Sequence, residues 1–227
     1  MREIIFDLET TGLDPERGHR VIEIGAVEIV NKIKTGKFFH KFVNPETDIS
    51  PGAFRVHGIS SDFLKDKPKF GDIVEDFLFF IGEDKLVIHN APFDMKFINS
   101  ELSILGLERI AYERAIDTLT LARRKFPGSP ASLDALCKRF NVSTQIRKDK
   151  GHGALLDSEL LYQVYICLTE GVQSELILKK AETLTTEGNF MINAKFVEPR
   201  KFSYADDIKQ HEEFLKKIPN NLWEKTQ

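Results

Sequence analysis

Ile4-Ile5-Phe6-Asp7-Leu8-Glu9-Thr10-Thr11-Gly12-Leu13 is the stretch from which the rest of the chain is read. It begins as an apolar run and reads as a buried strand. Asp7 and Glu9 interrupt it two residues apart. On a strand such residues face the same side, roughly 7 Å from each other. Two anions side by side in a core strand are costly unless something positive binds them. A divalent metal held by oxygen ligands is the natural partner. The alternative is an exposed edge strand with ordinary surface acids, and the flanking Ile4-Ile5-Phe6 speaks against it.

Outward from this strand, Thr10 to Arg20 is polar and holds Gly12, Pro15 and Gly18, so it reads as a loop. Val21 to Val30 and Gly36 to Val43 read as a second and third strand. The short connection Asn31 to Thr35 makes them an antiparallel pair. Pro45 to Gly58 is rich in turns, with room for one short helix. Phe70, Ile73, Val74, Phe77, Leu78 and Ile81 recur at helical spacing. Lys85 to His89 is a short buried strand. Asn90-Ala91-Pro92 then starts a helix carrying Phe93, Phe97, Ile98, Leu102 and Leu105, ended by Gly106.

Ala115-Ile116 is one last short strand, leading into a helix from Asp117 to Lys125. Ser132 caps a helix bearing Leu133, Leu136 and Phe140. Gln145 to Gly153 is basic and glycine-containing, hence a loop. Leu155 to Thr169 is an amphipathic helix with a stripe of Leu156, Leu160, Val164 and Leu168. Three strands followed by alternating helix and strand predict an α/β fold, a mixed β-sheet with helices against both faces. After Gly171 the pattern weakens, and Thr183 to Asn189 reads as a flexible connector. A final segment, Tyr204 to Trp223, holds scattered apolar residues and the only tryptophan. The expected boundaries are a catalytic-type domain at 1–172 and a tail beyond it.

The 227 residues suffice for one good-sized domain and an appendage. A net charge of -3 gives no global positive field for nucleic acid, so such contact must be local or bridged by metal. Cys137 and Cys167 form no CxxC pair, which suits a reducing cytosol. Met1-Arg2-Glu3 runs into a strand with no apolar leader. No stretch is long and apolar enough for a membrane span.

Two further acids stand out. Asp94 lies in the first turn of the helix after the fourth strand, and Asp157 near the start of the last amphipathic helix. Taken singly, each fits an acid that complements a helix N-terminus. His152 and Asp157, five apart, would be about 140° out of phase on one helix. They reach a common site only if His152 sits on the preceding loop, which Gly151 and Gly153 favour.

Asp7, Glu9, Asp94, His152 and Asp157 together resemble the DEDDh 3′–5′ exonucleases, a branch of the ribonuclease-H-like superfamily. The motifs stand in order: D-x-E-T-T-G, N-A-P-F-D and H-x-x-x-x-D. Asp7 and Asp94 are 87 residues apart, and Asp94 and Asp157 are 63 apart. A sister branch places Tyr in a Y-x-x-x-D motif, where this chain has His152. The resemblance implies a ribonuclease-H-like sheet and two divalent cations, Mg²⁺ or Mn²⁺, held by Asp7, Glu9, Asp94 and Asp157. One cation would generate the attacking hydroxide and the other stabilise the leaving 3′ oxygen. His152 would be the general base.

Further blocks are similar to the epsilon (proofreading) subunits of bacterial DNA polymerase III. They are Ile22-Glu23-Ile24-Gly25-Ala26-Val27-Glu28, Val56-His57-Gly58-Ile59, Ser132 to Cys137 and His152 to Asp157. By that similarity the DNA 3′ end meets Asp7, Glu9, His57, Asp157 and the position of Gly52, where relatives often carry an acid. Phe93 and the Thr10-Thr11 corner would line the 3′-nucleotide pocket; they fit ordinary core and turn equally well. Arg147, Lys148 and Lys150 are candidates for phosphate contact, or for a solvated surface loop.

Gln173, Leu176 and Leu178 fit the Q-x-x-L-x-[LF] pattern of peptides that dock on the bacterial sliding clamp. In the alternative, Leu176 and Leu178 continue a helix. The segment His211 to Trp223 resembles the tether to the polymerase alpha subunit, with Trp223 as anchor; it could equally fold back on its own domain. The resemblance thus implies residues 173–199 as clamp motif and linker and 200–227 as the polymerase-binding segment. It places the protein in the bacterial cytoplasm, with the nucleoid through the replisome, and leaves open a small third core subunit. Two rival readings stay open: a DEDDh exonuclease acting on RNA or short oligonucleotides, and a non-catalytic bridging subunit.

Overall fold

The computed structural model describes residues 1–145, 147 and 151–170. Strand β1 (Arg2–Thr10) is buried along most of its length and takes the centre of a five-stranded mixed sheet. With β2 (Val21–Val30), β3 (Ile33–Phe42), β4 (Lys85–Ile88) and β5 (Ala115–Asp117), the order is β3-β2-β1-β4-β5. β1 and β3 run antiparallel to β2, whereas β1, β4 and β5 are parallel. Parallel pairing puts the carboxyl ends of β1, β4 and β5 at one side of the sheet, where open α/β sheets bind ligands.

The hairpin between β2 and β3 is tighter than expected. Asn31 and Lys32 both have positive φ, 50° and 67°, and β3 begins at Ile33. Two such residues in succession match the right-handed twist of the flanking strands. The Lys32 side chain is held in the turn by Glu3, at 2.7 Å.

Helices cover both faces. On one, α3 (Phe70–Ile81) and α4 (Ala91–Ile104) pack Phe77, Ile81, Phe97, Ile98 and Leu102 on Ile4, Phe6 and Leu8. On the other, α6 (Leu133–Arg139) and α7 (Ala154–Glu170) pack Leu136, Leu160, Leu161 and Val164 on Ile5, Val27 and Val87. Two short helices, α1 (Pro51–His57) and α2 (Ser61–Leu64), fill the turn-rich passage, and α5 (Thr118–Lys125) follows β5. Ser132 caps α6 by accepting the Ala135 N–H, and α4 ends at Gly106 in the left-handed region.

Three details depart from the sequence reading. Leu105 is exposed, because it lies at the C-cap of α4 rather than on its inner face. Leu156 is only half-buried, while Leu161 and Tyr165 join the buried face of α7. That helix lies across the sheet and buries a broad face instead of a narrow stripe. Gln145 and Arg147 have helical backbone, not loop; Arg147 N–H donates to the Thr144 carbonyl at 3.1 Å. Lys148, Lys150, Gln173, Leu176, Leu178, Trp223 and the connector 183–189 lie outside the described residues. Among the described residues no helix is long and apolar enough to cross a membrane.

Candidate active site

Asp7 and Glu9 stand on one face of β1, as their spacing predicts. Opposite Asp7 in the β1–β2 ladder is Gly25. A Cβ at Gly25 would come within 2.2 Å of the Ala154 carbonyl carbon and of the Leu155 nitrogen. Only a glycine therefore lets the first turn of α7 rest on the strand backbone. Ser158 fixes that contact, its hydroxyl donating to the Gly25 carbonyl at 2.9 Å. The result sets Asp157, 4% exposed, over the acids of β1.

Asp94 arrives from another direction. After β4 the chain turns through Asn90 at φ 65°, a left-handed conformation that Asn tolerates better than most residues. Asp117, at the end of β5, accepts the N–H groups of Asn90 (3.1 Å) and Ala91 (3.3 Å) and holds this corner. Asp94, in the first turn of α4 and 3% exposed, then accepts the Leu8 N–H at 3.1 Å, between Asp7 and Glu9 in sequence. A β-bulge between Glu9 and Thr10 ends the ladder here, as is common beside active sites.

His152 lies on the glycine loop before α7, not on the helix, so the five-residue spacing works as predicted. Gly151, at φ 81°, passes close to the His57 carbonyl, 3.7 Å from where its Cβ would be. Glu9, His152 and Asp157 offer ligand atoms all within 4.8 Å of one another.

Electrostatics ties the remaining acids to the cluster. Burial, then Asp94, Asp157 and Glu9, push the Asp7 carboxyl well above its ordinary value. Burial first, then Asp157 and Glu23, push Glu9 up to about 8. Burial is also the main cause for Asp94, likewise raised to about 8. Carboxylates so placed gain from a multivalent cation. Asp157 Oδ1, buried and without a hydrogen-bond partner among the described residues, is a free acceptor in that cluster. A donor set of carboxylate oxygens with open acceptors fits a hard divalent cation.

Two participants were not legible as such. Glu23, 3% exposed, stands opposite Glu9 in the ladder and accepts from His40 Nε2 at 2.7 Å. Its alternation on β2 was the available signal. Arg147 is not a solvated loop residue: its side chain is 9% exposed. Its Nη2 donates to Asp157 Oδ2 at 2.7 Å and to His152 Nδ1 at 2.5 Å, and its Nη1 donates to Asp134.

The remaining predicted contacts are placed as follows. His57, 4% exposed, accepts the Ile59 N–H on Nδ1 at 3.0 Å. Its Nε2 is buried, and the ring also lies against the Thr10 backbone. Burial pulls its pKa below the ordinary value, with Glu23 opposing. A neutral ring of this tautomer carries its proton on Nε2. Gly52 is exposed in the first turn of α1, with nothing but Ser50 Oγ within 4 Å of a Cβ built there. Thr10 donates to the Gly12 carbonyl at 2.7 Å, and Phe93 stacks at 4.9 Å on Phe97.

The exonuclease family model (RNase_T) matches residues 4–165. The chain is 50% identical to the DNA polymerase III subunit epsilon of Rickettsia felis, over 96% of this chain and 97% of that one. It is 38% identical to the subunit of the same name from Salmonella typhimurium, over 98% and 97%. Among solved structures it is similar to exonuclease X in complex with 5′ overhanging duplex DNA. There the TM-score is 0.57, with 29% identity over 74% of this chain and 93% of that one. The fold is shared with the nuclease domain of 3′hExo, a DEDDh family member, at TM-score 0.62 and 20% identity, over 75% of this chain and 92% of that one.

Proposed function

The chain belongs to the exonuclease family and, within it, to the epsilon subunits of DNA polymerase III, and on that premise we propose that it is the proofreading 3′–5′ exonuclease of a bacterial replicative polymerase. The observation that carries this reading is the convergence of Asp7, Glu9, Asp94, Asp157 and His152, from three separate parts of the chain, on one site. Asp7, Glu9, Asp94 and Asp157 are the residues that would hold two divalent cations, Mg²⁺ or Mn²⁺. Such cations supply Lewis acidity at the scissile phosphate and lower the pKa of bound water.

The chain's own groups do the rest. His152 accepts the proton of the attacking water, a role worth on the order of 10²- to 10⁴-fold. Its Nδ1 lies 2.5 Å from the Arg147 guanidinium and 3.3 Å from Asp157 Oδ2; the tautomer that accepts from the guanidinium is the one with its lone pair on Nδ1. His57 presents its Nε2–H to the terminal nucleotide. Thr10 and Phe93 border the pocket, and the backbone at Gly52 lies alongside. A paired 3′ end must unstack to enter, at a cost of a few kcal/mol, and a mispaired end has less to lose. Selectivity thus resides largely in the DNA end. The full-length relatives carry the name of a DNA polymerase subunit, which favours DNA over RNA as substrate.

In the same reading, Gln173, Leu176 and Leu178 dock on the sliding clamp, and the segment ending at Trp223 binds the polymerase alpha subunit in the cytoplasm. Relatives of the same name align with 96–98% of this chain. Degradation of a mispaired DNA primer compared with a short RNA, each with and without Mg²⁺, tests the reading. Faster removal from the mispaired primer supports it, and preference for RNA would reassign the substrate.

A further inference from the structure

A guanidinium stands where the site has most need of a cation. Arg147 Nη2 donates to Asp157 Oδ2 at 2.7 Å, and Asp157 belongs to the Glu9–His152–Asp157 cluster whose ligand atoms lie within 4.8 Å of one another. The same nitrogen donates to His152 Nδ1 at 2.5 Å. An arginine cannot accept, so it covers the lone pair that a base would use. The other end of the fork is anchored on Asp134, a residue of α6 that is largely exposed. Two atoms mark the arrangement as one suited to exchange. Arg147 Nε and Asp157 Oδ1 are both buried, and neither has a partner among the described residues. A guanidinium built only to brace a carboxylate would form two parallel bonds to it; here Asp157 receives one.

We propose that Arg147 is a latch, its guanidinium holding Asp157 and His152 Nδ1 until a divalent cation at Asp157 displaces it, so that cation binding and release of the general base are one event. The idea rests on the reading of this site as cation-dependent. Arg147 holds Oδ2 of Asp157 while Oδ1 stays open, so a cation entering at this carboxylate meets a guanidinium of like charge a few ångströms away, and each weakens the other's hold. Release does not strand the arginine, because Asp134 remains as a surface anchor and directs it toward solvent, where a phosphodiester oxygen is a matching acceptor. An enzyme so built keeps its base covered when no cation is present. Arg147 is thereby a positioning residue rather than a catalytic one.

The test uses the full chain without nucleic acid. Calorimetric titration with Mn²⁺ should give about tenfold tighter binding for Arg147→Ala and Arg147→Gln than for the wild type. Arg147→Lys, which keeps the charge, should stay near the wild-type value. In the wild type, the His152 imidazole ¹⁵N resonances should move as Mg²⁺ saturates. In Arg147→Gln they should stand at the released position before any Mg²⁺ is added. Equal or weaker Mn²⁺ binding in both neutral variants, or His152 signals that do not move at saturation, would overturn the latch and leave the exonuclease reading intact. A wild-type chain that binds no divalent cation would overturn both.

Discussion

Gly25 lies directly opposite Asp7 in the β1–β2 ladder and supports the turn of α7 that delivers Asp157. With 2.2 Å between a would-be Cβ and the backbone of Ala154, no side-chain adjustment can make room. Gly25→Ala must lift α7. Overpacking of this kind costs about 1–3 kcal/mol, measurable by urea unfolding. The activity loss should be larger, because a displacement of about 1 Å can cost on the order of 10²-fold. An active, fully stable Gly25→Ala protein would show that α7 does not position Asp157 in this way.

The buried carboxylates make a prediction about pH in the metal-free protein. Glu9 and Asp94 have folded pKa values of about 8, above their unfolded ones, and Asp7 is raised too. The folded state therefore holds more protons than the unfolded state between about pH 4 and pH 8. Across that window stability falls as pH rises, and above pH 8 this effect levels off. In EDTA the melting temperature should decline from pH 5 to pH 8. Added Mn²⁺ should raise it, by an increment that grows with pH. An increment independent of pH would mean that these acids are not where the cation binds.

Glu101 and Arg20 brace the corner that follows Glu9. Glu101, 2% exposed, receives Arg20 through both carboxylate oxygens, at 2.8 and 2.7 Å, and also the Val21 N–H. Arg20 in turn accepts the Thr11 N–H on its carbonyl and donates its own N–H to the Thr11 hydroxyl, each at 2.9 Å, at the corner after Glu9. Glu101→Ala leaves a charge and an N–H unpaired and should cost about 3 kcal/mol, read from denaturant midpoints. Glu101→Gln, which keeps one acceptor oxygen and the side-chain volume, should lose less. Equal losses would assign the effect to packing.

Much of this molecule was legible in its residues. The apolar run interrupted by Asp7 and Glu9 placed a central strand and one half of the site. The periodicity from Phe70 to Ile81 matched α3 at both ends. The glycines around His152 announced the loop that His152 occupies. What escaped reading depends on contacts distant in sequence or on ambiguous local composition. Arg147 sits in a basic, glycine-containing stretch that looks solvent-facing, and only the approach of α6 and α7 buries it. Glu23 looked like an ordinary acid until β1 set it opposite Glu9. The tight turn at Asn31-Lys32 was hidden because lysine rarely adopts positive φ; here its side chain is held by Glu3.

His152 separates chemistry from cation binding. It is half-exposed on a loop, while Asp157 and the other acids are fixed by β1, α4 and α7. His152→Ala should lower turnover on the order of 10²- to 10⁴-fold. Mn²⁺ affinity measured by calorimetry should change little by comparison. A parallel loss of Mn²⁺ affinity would make His152 a ligand rather than a base.

The central claim is that four carboxylates from distant segments act together on the 3′ end of DNA. Exonuclease activity of the full chain on a mispaired primer, with Mg²⁺ and with EDTA, measures it most directly. The account predicts release of the terminal nucleotide with Mg²⁺, slower release from a paired end, and none in EDTA or in Asp94→Asn. Equal rates with and without the cation, or undiminished activity in Asp94→Asn, would contradict it.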